Sequence, residues 1–390
     1  MAEHSLTRSE IGPVLVVSLI TALRLLGIFL ILPIFSVYVV RYPGATLPLA
    51  GFAFGIYALV QSLLQVPMGW ASDRWGRKPL ILFGLLLFSG GSIVCGLARN
   101  IVQLIIARAI QGSGAIGAVA LAALADETRS EVRAQAFTIT GIAIGASFMV
   151  GLLAGPVLAA HIGFNEVFYL LAGVGVAAMA LTGWFLPKTQ VRNEKLSGAG
   201  FRLVWRDADL RLIYLASFIL SFALNLFFFN YPLSWTNNVG LAKAELWRVY
   251  LIIFAPSLFL AFPAVRYAEK HGHLRLLGRM SWLFLSIGYL AYLMGAAQQS
   301  LLYISGGSFF LGYTLFQPLL PSFLTQRVSA EGRGAATGVY NLSGFLGNAI
   351  GGMLAGELGH LGHSIPQIVG LVLLLLWPLR GLPNPPESPV

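Results

Sequence analysis

Residues 69–80 read GWASDRWGRKPL. Asp73, Arg74, Arg77 and Lys78 fall within six positions of a chain that is 57% hydrophobic and only 10% charged. The segments on either side, 48–71 and 79–98, are apolar and reach the ~20 residues a helix needs to cross ~30 Å of hydrocarbon. Comparable segments recur at 13–40, 101–124, 134–160, 165–187, 210–238, 246–268, 276–296, 299–325, 334–358 and 364–382. Only helices and closed barrels satisfy their backbone polar groups in lipid. These segments are continuously apolar rather than alternating, which excludes barrel strands. The fold class is therefore an all-α polytopic membrane protein of about twelve transmembrane helices. The first segment is too long for a signal-peptide core and no small-residue cleavage site follows it, so it counts as a membrane helix.

Composition excludes several chemistries. One cysteine, Cys95, offers neither a disulfide nor a thiolate metal site, and the six histidines are not at metal-ligand spacing. No metal and no cofactor is expected. The net charge of +10 would suit nucleic acid, but its placement argues otherwise. With a cytoplasmic N-terminus, 19 of the 25 Lys and Arg fall in inner loops or tails and four (Arg41, Arg99, Lys243, Arg248) in outer ones. That asymmetry is the positive-inside pattern. It orients a multi-pass inner-membrane protein with both termini cytoplasmic, and no nucleic-acid partner is expected.

The longest polar stretch between spans, from Pro187 to Arg211, divides six helices from six. We expect an N-terminal bundle over 1–187, a cytoplasmic linker over 188–209 with a short amphipathic helix, and a C-terminal bundle over 210–390. The halves echo each other. At an offset of 200, Gly112 meets Gly312, Glu131 meets Glu331, Arg133 meets Arg333 and Gly151 meets Gly351; DRWG (73–76) meets EKHG (269–272) at 196. Two pseudo-symmetric six-helix bundles related by an axis along the membrane normal are the layout of one large transporter class.

The opening loop resembles the signature of the major facilitator superfamily, Gly-x-Leu-Ala-Asp-Arg-x-Gly-Arg-Lys, departing from it at the leucine and alanine positions, here Ala71 and Ser72. RAIQGSGA (108–115) resembles that superfamily's Arg-x-x-Gln-Gly motif. GLLAGP (151–156), with Gly151, Gly155 and Pro156, resembles its antiporter signature, although Leu158 and Ala159 replace the glycines expected after the proline. The resemblance covers the whole chain and is nearest to the twelve-helix drug/proton antiporters. It implies alternating access, a cavity between two halves and a proton gradient as the energy source.

The loop also has a physical reading of its own. Gly69 lets a neighbouring helix approach, Gly76 permits the tight reversal, and Pro79 suits a first helical turn. Asp73 is expected at the level of the start of the eleventh helix, where a carboxylate gains ~0.3–1 kcal/mol from the helix dipole. Arg77 is expected to reach Asp126. We read Asp73, Arg74, Arg77, Lys78 and Asp126 as a conformational latch; the plainer reading is positive-inside charge that only fixes topology.

No carboxylate lies clearly at mid-membrane, but two arginines lie within spans. Arg24 is ~11 residues from its inner start and Arg108 ~7 from its outer start, both a little outside the midplane at ~1.5 Å per residue. A charge there costs at least ~2.5–3.5 kcal/mol on insertion scales. One reading is that Arg108 hydrogen-bonds neighbouring carbonyls with Gln111 helping. The other is that both arginines bind an anionic or zwitterionic substrate group. Tyr57, Gln61 and Gln65, at i, i+4 and i+8, share a helix face. With Asn225, Phe229, Tyr231, Tyr313, Gln317, Tyr340 and Asn341 they are expected to line a mainly apolar cavity for an amphipathic ligand. The glycines of the fifth helix are expected to form a sliding seam against the other half, or else static packing.

No Walker motif and no nucleophile–base constellation is present, so neither an ATP-driven pump nor an enzyme is expected. The reading is a monomeric secondary transporter in the lipid bilayer that exports an amphipathic or anionic small molecule or drug in exchange for protons. The rivals are uptake or flipping of an anionic solute or lipid, and a non-transporting receptor or assembly factor on the same fold.

Overall fold

A computed structural model of the chain describes residues 6–129, 131–187, 207–328 and 333–376. The linker expected over 188–209 lies almost wholly outside these residues, as do Glu331 and the C-terminal tail. The chain divides into two compact units, residues 1–195 and 196–390. Each is all-helical over the described residues.

The first unit contains α1 (Arg8–Ile31), α2 (Phe35–Val39), α3 (Leu47–Trp75), α4 (Arg77–Leu97), α5 (Ile101–Gly112), α6 (Gly117–Asp126), α7 (Arg133–His161) and α8 (Phe164–Phe185). The second contains α9 (Ala208–Leu233), a π-helical turn (Ser234–Asn238), a 3-10 turn (Lys243–Glu245), α10 (Leu246–Lys270), α11 (Leu274–Met294), α12 (Gln299–Phe316), α13 (Leu319–Arg327), α14 (Arg333–Leu361) and α15 (Ile365–Leu376). Among the described residues, nine helices are long and apolar enough to cross a membrane. The tenth, eleventh and twelfth expected spans hold α12 with α13, α14, and the twelve described residues of α15.

Three expected spans are not continuous helices. The first stops at Ile31 because Pro33 has no amide hydrogen and its ring crowds the carbonyl four residues back; α2 resumes at Phe35. The tenth stops at Phe316 ahead of Pro318, with α13 resuming at Leu319. The fourth unwinds over residues 113–116, where the Ser113 hydroxyl donates to the Ile110 carbonyl at 2.6 Å and competes for helical bonding. Hydropathy averages over such breaks and does not register them.

The two units share a packing plan. In the first, α1 lies along α7, α4 packs on α8 and α5, and α3 on α5. In the second, α9 lies along α14, α11 packs on α12 and α15, and α10 on α12. The equivalent glycines of the repeat play equivalent parts. A Cβ on Gly151 or Gly155 would collide with Phe29 or the Leu30 carbonyl of α1, and one on Gly347 or Gly351 with the Phe218 or Phe222 carbonyl of α9. These glycines let the helix backbones touch. The Gly151–Pro156 stretch therefore seats α7 on α1 of its own unit. Gly76 and Gly272 also correspond, both turning at positive φ (90° and 70°) between antiparallel helices.

Prediction: Gly155→Ala should destabilise the purified protein by ~1–3 kcal/mol, because the added methyl meets backbone that cannot swing away. Gly141→Ala, where a Cβ meets no atom within 4 Å, should be neutral or mildly stabilising through helix propensity. Thermal unfolding in detergent measures both; equal shifts would contradict the close-approach argument.

Candidate functional site

The residues singled out in the first unit gather in two polar clusters. The first is the turn inside residues 69–80. Asp73 lies in the last turn of α3, Gly76 makes the reversal, and Arg77 opens α4. The Arg77 guanidinium donates to Asp73 at 2.5 Å, to Asp126 at the end of α6 at 2.9 Å, and to the Ser72 hydroxyl at 2.6 Å. Its side chain is only 12% exposed, against 31% for Asp73 and 20% for Asp126. One planar fork thus ties three helix ends together. Ser72 stands where the superfamily pattern has alanine, and its hydroxyl supplies an acceptor that alanine would lack.

Lys78 takes a different role. Its ammonium donates to the Gly183 and Leu186 carbonyls at 2.7 Å each, satisfying orphan acceptors at the C-terminus of α8. Arg74 lies over the Trp70 ring at 4.2 Å, a cation–π contact at the exposed edge. Gly69 faces Ala118 of α6. The counterpart stretch 269–272 repeats the glycine turn but, among the described residues, Glu269 and Lys270 make no ion pair.

The second cluster is buried between α1, α3, α4 and the broken α5–α6 pair. Arg24 and Arg108 are each 3% exposed. Arg24 donates through Nε to the Gly114 carbonyl at 3.1 Å and through a terminal nitrogen to the Tyr57 hydroxyl at 3.4 Å. The Gly114 carbonyl sits in the unwound segment, where the break frees it from helical bonding. Arg108 lies over the ring face of the same tyrosine at 4.6 Å, and 5.3 Å from the centre of the Phe35 ring. Tyr57 therefore brings the two arginines together.

A polar chain holds Arg108 in place. Its terminal nitrogen donates to Gln111 Oε1 at 2.6 Å, Gln111 Nε2 donates to Ser92 Oγ at 2.8 Å, and Ser92 donates to the Phe88 carbonyl at 2.7 Å. This orientation of the Gln111 amide is the one that presents its oxygen to the guanidinium. Arg108 Nε has no partner, nor has either amide atom of Gln61 or Oε1 of Gln65, although all are buried. Gln65 packs against Gly117 just beyond the break. Among the described residues, neither arginine forms an ion pair with a carboxylate.

The elements explain the placement. The buried stripe of α3 carries Tyr57, Gln61 and Gln65 at helical spacing, so all three face inward. Sequence reasoning singled out both arginines, Gln111 and Tyr57. It missed Ser92, Phe35 and the Gly114 carbonyl; the GSG run after Gln111 was the readable sign that the helix would open there.

The polar residues of the second unit are mostly engaged in packing. Asn225 donates to Asn348 Oδ1 at 2.5 Å, joining α9 to α14. Tyr231 is fully buried, stacks on Phe227 and donates to the Leu302 carbonyl at 2.8 Å. Phe229 is fully buried as well. Gln317 lies exposed beside Pro318, while Tyr313, Tyr340 and Asn341 are half-buried. The structure thus places Tyr231 in a packed aromatic core with Phe227, Trp235 and Tyr292 rather than along a cavity, because long aromatic side chains where α9 meets α12 fill the space between helices.

The Major Facilitator Superfamily family model matches residues 17–352, with a further match over 213–390. The chain belongs to the major facilitator superfamily. It is a transporter rather than an enzyme. It is 31% identical over 383 residues to the inner membrane transport protein YajR of Escherichia coli K12, covering 97% of this chain and 84% of that protein. It is 28% identical over 337 residues to the multidrug resistance protein MdtH of Aeromonas salmonicida, covering 85% and 82%. In fold it matches a crystal structure of a point mutant of the nucleoside transporter NupG with a TM-score of 0.76 at 11% identity, covering 94% of this chain and 98% of that one.

Prediction: Arg77→Ala should lower stability by ~1–3 kcal/mol, since it strands two partly buried carboxylates. Arg77→Lys, which keeps the charge but not the fork, should recover only part of that loss. Thermal unfolding of purified protein reads both; full recovery by lysine would show that charge alone is what the turn needs.

Proposed function

We propose that the protein is a secondary active transporter of the bacterial inner membrane, with both termini cytoplasmic. It binds an anionic or amphipathic small molecule at the Arg24–Arg108 site and exports it in exchange for protons. The supporting observation is the pair of buried guanidiniums without a carboxylate. A cation in the membrane interior is costly, and two near one tyrosine repel each other in a low dielectric. The donors left over (Arg108 Nε, the Gln61 amide) are those an oxyanion with neighbouring polar groups would use. The aromatic faces of Phe35 and Tyr57 suit the apolar part of such a ligand. The likeness to MdtH, a multidrug resistance protein by name, favours export.

In this reading no cofactor takes part. The proton gradient drives the exchange, and binding is coupled to it through competition or ligand protonation at the arginines. The Asp73–Arg77–Asp126 cluster is the latch that must open and re-form as access alternates.

Prediction: in proteoliposomes with an imposed pH gradient, anionic amphipathic candidates should accumulate and cationic ones should not. Arg24→Ala and Arg108→Ala should each weaken binding about tenfold to hundredfold, the loss expected for ~1.5–3 kcal/mol of charge-assisted bonding, with the protein still folded by size-exclusion chromatography. Flux of cations alone, or unchanged anion affinity in both variants, would overturn the anion site.

A further inference from the structure

At the end of the first unit opposite the 69–80 turn lies a cleft of about 500 Å³. Its walls include Tyr38, Arg41, Pro43, Arg99, Phe164 and Asn165. Arg41 and Arg99 are the only Lys or Arg at that end of the described first unit, and both line this one cleft. Both are exposed, and among the described residues neither forms an ion pair. A chain that otherwise keeps its basic residues at the other end has put two of its few exceptions in one place.

The walls are fixed by bonds that leave those two cations free. The Tyr42 hydroxyl donates to Asn165 Oδ1. Asn165 Nδ2 donates to the Gly96 and Ala98 carbonyls at 3.0 and 3.3 Å, and the Ile101 amide donates to the Pro43 carbonyl at 3.2 Å. The α2–α3 connection, the α4–α5 connection and the start of α8 are thereby joined. Tyr38 and Phe164 stack with ring centroids 5.2 Å apart and planes 3° from parallel, giving the cleft a flat apolar wall. Glu166, the nearest acid of α8, is not among the lining residues; its carboxylate folds back over Gly163. The Asn165 amide is taken up by the frame, and the charged side chains lining the cleft are the two guanidiniums.

We propose that this cleft binds a phosphate ester, with the phosphate held between Arg41 and Arg99 and an apolar part of the same molecule against Tyr38 and Phe164. Phosphate fits better than carboxylate. A carboxylate is saturated by one bidentate fork, whereas a tetrahedral phosphate presents oxygens in several directions and can be shared by two forks from different loops. The ester is either the head group of a membrane phospholipid or a soluble molecule, and the chemistry of recognition is the same for both. The site is separate from the Arg24–Arg108 cluster and does not depend on what that cluster binds.

The test uses purified full-length protein and the double variant Arg41→Gln/Arg99→Gln. Both side chains are exposed, so folding should be retained, and the unfolding temperature checks it. Native mass spectrometry follows binding of phosphatidylglycerol, with monogalactosyl diacylglycerol as the lipid that lacks phosphate; thermal shift follows sn-glycerol 3-phosphate. Arg266→Gln, an exposed cation elsewhere, serves as control. The double variant should retain one tightly bound phosphatidylglycerol fewer than wild type and Arg266→Gln, with affinity at that site reduced at least tenfold. If instead only the response to glycerol 3-phosphate is lost, the ligand is the soluble ester and the site stands. Unchanged binding of both probes, or an equal loss of the galactolipid, would overturn the proposal.

Discussion

The constraint on which this structure turns is the burial of two permanent positive charges inside membrane-spanning helices with, among the described residues, no carboxylate paired to either. An arginine cannot shed its proton to escape the problem, as a buried lysine can. The surrounding residues therefore have to disperse the charge. Tyr57 does so twice, through its hydroxyl to Arg24 and its ring to Arg108. Gln111 does so once, and Ser92 fixes the amide that does it. What they leave is a net positive site with spare donors, and that uncompensated attraction is the basis for the proposal that it takes an anion.

The break in the fourth span follows from the same need for hydrogen-bond partners. A continuous helix would have kept the Gly114 carbonyl for itself. Unwinding at residues 113–116 turns it toward Arg24, so irregular backbone at membrane depth is tolerated where it lines a polar site. The first and tenth spans break at prolines for a simpler reason, and neither break is accompanied by a buried charge within its own helix end.

Much of the fold was legible in the sequence because lipid imposes so few solutions. Apolar length marked out the helices, and the repeat at an offset of 200 foreshadowed equivalent glycines seating α7 on α1 and α14 on α9. The Arg77–Asp126 contact was legible too, since topology puts both residues at one membrane level. What escaped was whatever depends on approach between helices. Lys78 caps α8 only because α8 ends beside α4, and no local pattern announces that. Tyr231 and Asn225 looked like cavity residues because a polar atom in an apolar helix has the same sequence appearance whether it faces a ligand or a neighbouring carbonyl. The breaks escaped because hydropathy averages over a window wider than the three or four residues involved.

A direct measurement of the central claim is a ligand-stability screen on the purified wild-type protein. Matched series of carboxylates, phosphate esters and quaternary ammonium compounds on the same apolar bodies would be compared by unfolding temperature at fixed ionic strength. The account predicts that the anionic members raise it in a saturable, concentration-dependent way and that the cationic members do not. Saturable stabilisation by the cations, with none from any anion, would contradict it.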